Sequence, residues 1–252
     1  NGTSTTEETA VVCGQIVKVI SNSVVSIGDG AFFKCTSLSS IVIPDSVTSI
    51  GNGAFSYCET LINIVIPTNV TNLKGNPFYG WNGRLECLSL NFIYEHGVLF
   101  NKDKSEIISF RNQKQESYTI PTGVMNVRFG AFLYCNSLTD IIIPNSMISI
   151  GIAAFAGCGS LNSIEIPDGV ISIGNLAFYN CSSLTKIVIS NSVKSIGNEA
   201  FSNCFSLSSI VIPNSVRSIE EGAFAGCSNL PYNLKQELIS RFGDELFRSQ
   251  LP

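Results

Sequence analysis

Little in this chain is charged. Asp, Glu, Lys and Arg make up 13% of its 252 residues, and 15 basic side chains against 19 acidic ones leave a net charge of −4 and a pI near 5.1. That balance disfavours nucleic acid as a partner, because binding there needs a basic patch to displace the counterions of the phosphate backbone. His96 is the single histidine, so any Ser-His-Asp or Cys-His arrangement would have to run through it. No G-x-S-x-G, P-loop or H-E-x-x-H occurs. Neither C-x-x-C nor a histidine cluster accompanies the nine cysteines, which removes the ligand spacing of a structural zinc site. With no run of eighteen apolar residues, a transmembrane helix is excluded as well. The chain is expected to be non-enzymatic and to hold no cofactor or metal.

What the chain does have is a period. Phenylalanine follows alanine at Phe32, Phe55, Phe132, Phe155, Phe178, Phe201 and Phe224, and within each unbroken run the step is 23 residues. A repeat of that length cannot bury its own apolar face and must stack on its neighbours, which is the signature of a solenoid. Function is then expected on the surface that the stack presents rather than in a deep pocket.

In the coil 38–60 the apolar positions are Leu38, Ile41, Ile43, Val47, Ile50, Ala54, Phe55 and Cys58. Residues 38–46 fit the pattern L-x-x-L-x-L-x-x-N/C, in which one short strand per repeat lines a horseshoe. Ile41 and Ile43 alternate with Val42, so two side chains point inward and one outward. Pro44 ends the strand, since it lacks an N–H for the ladder. Equivalent strands are expected at 64–66, 88–90, 118–120, 141–143, 164–166, 187–189 and 210–212. The ninth position of the pattern holds Ser46, Ser146, Ser192 and Ser215, with Asn69, Gly123 and Gly169 in other coils. A hydroxyl there satisfies turn groups that would otherwise be buried unpaired; where glycine stands, a neighbouring coil or water is expected to substitute. Gly28, Gly51, Gly151, Gly174 and Gly197 follow the last aliphatic of the turn, which points to positive φ or to close backbone approach. The run 51–58 leaves room for one helical or 3₁₀ turn, or extended pieces, on the convex side.

Repeats reading V-x-S-I-G-x-x-A-F-x-x-C-x-S-L-x-x-I-x-I-P-x-S, clearest at 47–56, 170–189 and 193–215, resemble the BspA-like, Treponema-type leucine-rich repeats of bacterial surface proteins. The resemblance covers about residues 20–230, with the Ala-Phe, Cys, Ser-Leu and Ile-Pro elements all in register. It implies a right-handed, β-rich leucine-rich-repeat solenoid that is extracellular or cell-surface, secreted or anchored, and often associated with adhesion to host proteins or other cells. It brings no catalytic residues. One stretch departs from the period, because Phe78 and Phe132 lie 54 residues apart. Trp81 takes the expected place of a cysteine, Gly83 reads as an extra residue, and Leu85, Leu88 and Leu90 resume the strand pattern. Residues 95–110 then read as two short strands around a polar turn, similar to D-G-V-L-F-N-x-D-K-T-x-L-I insertions in family members. A hairpin insertion is expected at about 92–112.

The solenoid is expected to run over 11–230, with an irregular strand region at 11–20 capping one end. Residues 1–10 read as a flexible polar leader, and Asn1 in place of methionine points to a trimmed precursor. At 231–252 a helical cap is expected, because Leu234, Leu238, Ile239 and Phe242 share one helical face and Pro231 suits a first turn. A docking helix for a partner is the alternative.

Seven cysteines form a column, Cys35, Cys58, Cys135, Cys158, Cys181, Cys204 and Cys227. Neighbouring coils bring them within bridging range, yet each sits in an apolar layer where a free thiol behaves as a small hydrophobe. Cys13 and Cys87 fall outside the column, and Cys87, aligned with the outward Ser40, is the candidate reactive thiol. Asp140 and Glu165 on adjacent strands offer a paired-carboxylate reading; a solvated acidic face is the blander one.

The outward residue of each strand reads Val42, Val65, Ser89, Thr119, Ile142, Glu165, Val188 and Val211. Flanked by polar residues that include Asp140 and Lys186, this column would form an apolar strip with a polar rim on the concave face. Strand propensity alone could also select it. The expected role is a surface-exposed protein-binding module, adhesin-like, contacting a host extracellular-matrix or cell-surface protein through Val42, Val65, Ile142, Glu165, Val188, Val211, Asp140 and Lys186. A structural spacer is the alternative, followed by glycan-binding and hydrolytic readings. Tyr57, Tyr134 and Tyr179 read as a second column just before the cysteines.

Overall fold

The computed structural model describes residues 7–12 and 15–248, in two compact units that divide between Asp103 and Lys104. In the second unit each coil carries two short strands where one was expected. The first set holds the I-x-I pattern: Ser117–Thr119 pairs in parallel with Asp140–Ile142, and Ser163–Ile166, Lys186–Ile189 and Ser209–Val211 form a separate parallel sheet. The second set is a ladder of two-residue strands, Asn126–Val127, Ser149–Ile150, Ser172–Ile173, Ser195–Ile196 and Ser218–Ile219, following Glu106–Phe110. Alternation governs both sets. In Lys186–Ile189 the isoleucines are buried while Lys186 and Val188 are exposed, as a pleated strand with one wet face requires.

The third side of each coil is a chain of tight turns. Here alternate N–H groups reach the next coil, as in Phe155 to Ala177 at 2.8 Å and Phe178 to Ala200 at 2.8 Å, while those between close local turns, as in Ala177 to Gly174 and Tyr179 to Leu176. Residues two before and two after each phenylalanine take left-handed φ: Ala153 and Gly157, Leu176 and Asn180, Glu199 and Asn203. Four of those six carry side chains other than glycine or asparagine's short amide, or are β-carbon bearing at least, so inter-coil bonding holds a backbone that L-residues rarely adopt. The glycines singled out in sequence are not these. Gly51, Gly151, Gly174 and Gly197 lack positive φ and answer to close approach, since a Cβ on Gly151 would lie 2.4 Å from the Val127 carbonyl oxygen.

Inside, the phenylalanine rings stack as Phe110, Phe132, Phe155, Phe178, Phe201 and Phe224, with centroids 4.8–5.5 Å apart. The cysteine column lies beside them. The Sγ of Cys158, Cys181, Cys204 and Cys227 each donates to the carbonyl of the phenylalanine 26 residues earlier, at 3.1–3.2 Å. The eight cysteines among the described residues are free thiols, and Cys13 lies outside those residues. Burial pushes the Cys181 and Cys204 thiols well above their ordinary range and Cys227 up to about 12.

Turn serines behave as a relay between coils. Ser146 Oγ donates to the Val124 carbonyl at 2.8 Å and Ser192 Oγ to that of Val170 at 2.8 Å. Each also accepts from the glycine of the preceding coil, Gly123 N–H at 3.0 Å and Gly169 N–H at 3.3 Å. The neighbouring coil thus supplies what the glycines lack.

The C-terminal cap is a helix, α1, over Tyr232–Phe242, followed by a 3₁₀ turn at Glu245–Phe247. Leu238 is buried, and Arg241 donates to the carbonyls of Ile212 and Pro213 at 3.0 and 3.2 Å. The turn continues the repeat: Phe224 N–H donates to the Leu246 carbonyl at 2.9 Å, and the Phe247 ring stands 6.2 Å from Phe224.

The first unit uses the same coil. Glu7–Val12 pairs antiparallel with Gln15–Ile20, so the last part of the expected leader is strand, while residues 1–6 lie outside the described ones. Phe32, Phe55 and Phe78 stack, and Trp81 fills the cysteine place against Phe78 with its Nε1 donating to the Leu61 carbonyl at 2.7 Å. The next strand comes early. It is Arg84–Cys87, with Leu85 opposite Ile64 and Cys87 opposite Ile66, not 88–90. Leu88 and Leu90 are exposed and Ser89 is the buried turn serine, donating to the Val70 carbonyl at 2.6 Å. The strands expected around a polar turn are present as Val98–Asn101 and Glu106–Phe110, one in each unit. A further strand, Phe92–Glu95, forms a hairpin with Val98–Asn101 around His96 and Gly97, both at positive φ, the geometry that two-residue hairpin turns favour.

Candidate concave binding face

The outward side chains of the I-x-I strands divide between the units. In the first, Val42 is exposed and Val65 half-buried, and the residue following Val65 in the column is Glu86, its register partner, in place of Ser89. In the second, Thr119 stands opposite Ile142, and Glu165 opposite Val188, which is opposite Val211. Ile142 is 63% exposed, Val188 40% and Val211 73%. A polar row runs alongside, with Ser163, Lys186 and Ser209 in register and Asp140 one coil before Ser163. The second unit therefore gathers Ile142, Glu165, Val188, Val211, Asp140 and Lys186 on one face.

The strand ladder lapses in the middle of that face. Asp140–Ile142 and Ser163–Ile166 belong to different sheets, and an open hollow of about 610 Å³ lies over them, lined among others by Asp140, Ile142, Glu165, Asp168 and Val188. Asp140 and Glu165 do not face each other in register. Ser163 is one period from Asp140, and Glu165 is one period from Ile142, so the carboxylates are offset along the strands as well as across them.

Cys87 needs correction. It pairs with Ile66 and points inward, half-buried, and burial pushes its thiol up, which lowers its reactivity near neutral pH. The tyrosine column also dissolves: Tyr57 and Tyr134 directly precede a cysteine, whereas Asn180 stands between Tyr179 and Cys181. In the first unit Tyr57 instead packs edge-to-face on Tyr79 at 5.7 Å and on Phe33 at 5.6 Å.

Sequence reasoning missed a second apolar column. Met125, Ile148 and Ile171 are exposed on successive coils, joined by main-chain bonds from Ile148 to Met125 and from Ile171 to Ile148, and Lys194 and Arg217 continue the line. The signal was available, because these residues recur at the coil period, but they precede the short second strand, which the pattern did not reveal. Among the described residues no cluster of metal-ligating side chains occurs and no helix is long and apolar enough to cross a membrane.

Stacked parallel coils with buried I-x-I strands and one face of outward side chains define a leucine-rich-repeat protein. The chain belongs to the BspA type leucine rich repeat family, whose model matches residues 13–93 and 106–249 in 6 copies. It is similar to a leucine rich cell surface protein from Faecalibacterium prausnitzii, with 31% identity and a TM-score of 0.60 over 77% of this chain and 58% of the other. A leucine-rich repeat protein from Eubacterium ventriosum matches at 25% identity and a TM-score of 0.68, over 85% of this chain and 71% of that one. The pneumococcal vaccine antigen PcpA shares the fold, at 21% identity and a TM-score of 0.66 over 93% of this chain and 68% of its own. The chain thus spans less than two thirds of the F. prausnitzii protein. No curated protein matches it.

Proposed function

We propose that the chain is a non-enzymatic, adhesin-like module at the bacterial cell surface, and that the concave face of its second unit docks a protein. The observation that carries this is the run of exposed aliphatics on neighbouring strands, Ile142, Val188 and Val211, bordered by a polar row. Apolar side chains held contiguous by main-chain register and rimmed by polar ones match the composition of a protein interface. The description of the F. prausnitzii protein as a cell surface protein supports the location. A host extracellular-matrix or cell-surface protein is the proposed partner class, and Val42 and Val65 of the first unit offer further contacts of the same kind. The test is binding of the whole chain to a panel of such proteins, beside a folded Val42→Glu, Val188→Glu double variant. Binding that the variant loses supports the docking face. Absence of binding across the panel favours a spacer that displays another domain.

A further inference from the structure

The apolar row of the second unit contains one ionised side chain, Glu165, between Ile142 on one coil and Val188 on the next. Among the described residues it makes no ion pair or side-chain hydrogen bond. Glu165 also borders the lapse in the ladder. Between Asp140–Ile142 and Ser163–Ile166 the main chain is joined by Asn162 N–H to the Thr139 carbonyl, at 3.1 Å. The hollow that opens there has aliphatic walls, with Asp140 at the start of one strand and Asp168 past the end of the other.

A wholly apolar partner laid over this row would strip water from the Glu165 carboxylate and give nothing in return. A partner with a cation at that point turns the same carboxylate into a charge-assisted hydrogen-bond acceptor while its flanking groups cover Ile142 and Val188. Three carboxylates against the single ammonium of Lys186 make the surroundings negative, which attracts a cation and repels an anionic group. Resting on the reading of this face as a docking surface, we infer that the hollow receives an extended protein segment carrying one arginine or lysine between apolar side chains. Arginine fits better, because its planar fork meets a carboxylate through two donors and its weakly hydrated guanidinium tolerates aliphatic walls.

The experiment uses the whole chain with methyl-labelled isoleucine and valine, titrated with end-blocked heptapeptides of alternating valine and serine. These carry a central arginine, the neutral isostere citrulline, or glutamate. The arginine peptide should shift the Ile142 and Val188 methyl signals and bind about tenfold more tightly than the citrulline peptide, with a preference that shrinks at high salt. In Glu165→Gln the arginine and citrulline peptides should become equal while both still shift the methyls. Equal binding of all three peptides to the native chain, lost in Val188→Glu, would overturn the cation preference and leave the docking face standing. No methyl shift with any peptide would overturn both, and an arginine preference that survives Glu165→Gln would remove Glu165 from the assignment.

Discussion

Two sides of the same coils in the second unit behave differently. On the turn side, main-chain bonds tie each coil to the next without a break from Phe132 to Leu246, thiols bond to carbonyls, and rings lie on rings. On the strand side the ladder is divided between two sheets, and the residues facing out include Ile142 and Val211, which are more than half exposed. Cohesion is concentrated in one side, which leaves the other able to vary its outward side chains. Turn residues are held to narrow chemistry by register, whereas the outward strand position accepts Thr119, Ile142, Glu165 and Val188 in turn.

If that contrast is right, the largest loss should come from the turn side. Phe178, buried between Phe155 at 5.3 Å and Phe201 at 5.4 Å, cannot be truncated without a hole that its neighbours are too tightly bonded to fill. Phe178→Ala should lower unfolding stability by about 3–5 kcal/mol in a denaturant titration; a loss under about 1 kcal/mol would show that the column is not a cohesive core. Alkali should act next. Cys227 is raised from 9.0 to about 12, so as pH climbs the unfolded chain gives up this proton first and the native state binds more protons than the unfolded one. Stability conferred by the neutral thiol is intact below the unfolded value and falls between those two values, by up to about 1.4 kcal/mol per pH unit. Stability measured against pH should show a shallower alkaline fall in Cys227→Ala, and an unchanged slope would detach the thiols from the effect. The smallest change belongs to the strand face: Val211→Ala should stay within about 0.5 kcal/mol of the native chain, and a larger cost would mean that this side holds the stack too.

Much of this was legible in the sequence. The Ala-Phe spacing gave the coil, the I-x-I-P run gave the principal strand, and Pro231 with Leu238 gave the cap helix. The second strand was not legible because two residues, such as Ser172–Ile173, are too few for alternation to register. Left-handed turn positions were hidden because Leu176 and Glu199 occupy them, residues that no turn rule would choose. The strand after Trp81 was misplaced by three residues: Leu88 and Leu90 imitate the alternation better than Leu85 and Cys87 do, and Gly83, whose Cβ would meet the Leu61 carbonyl oxygen at 2.5 Å, shortens the approach. Within the candidate site, Ile142, Glu165, Val188 and Val211 could be aligned from the period alone, but the lapse beside Glu165 depends on strand separation, which carries no letter code.

Phe247 lies one period of 23 residues beyond Phe224, so the terminal ring finds its seat by counting from whichever coil comes last. A gene segment encoding one whole coil can be duplicated or lost ahead of the cap, and the same closing turn will still meet a ring beneath it. Length in such a chain is free to drift by inheritance in units of one coil, while the way it ends is conserved by arithmetic.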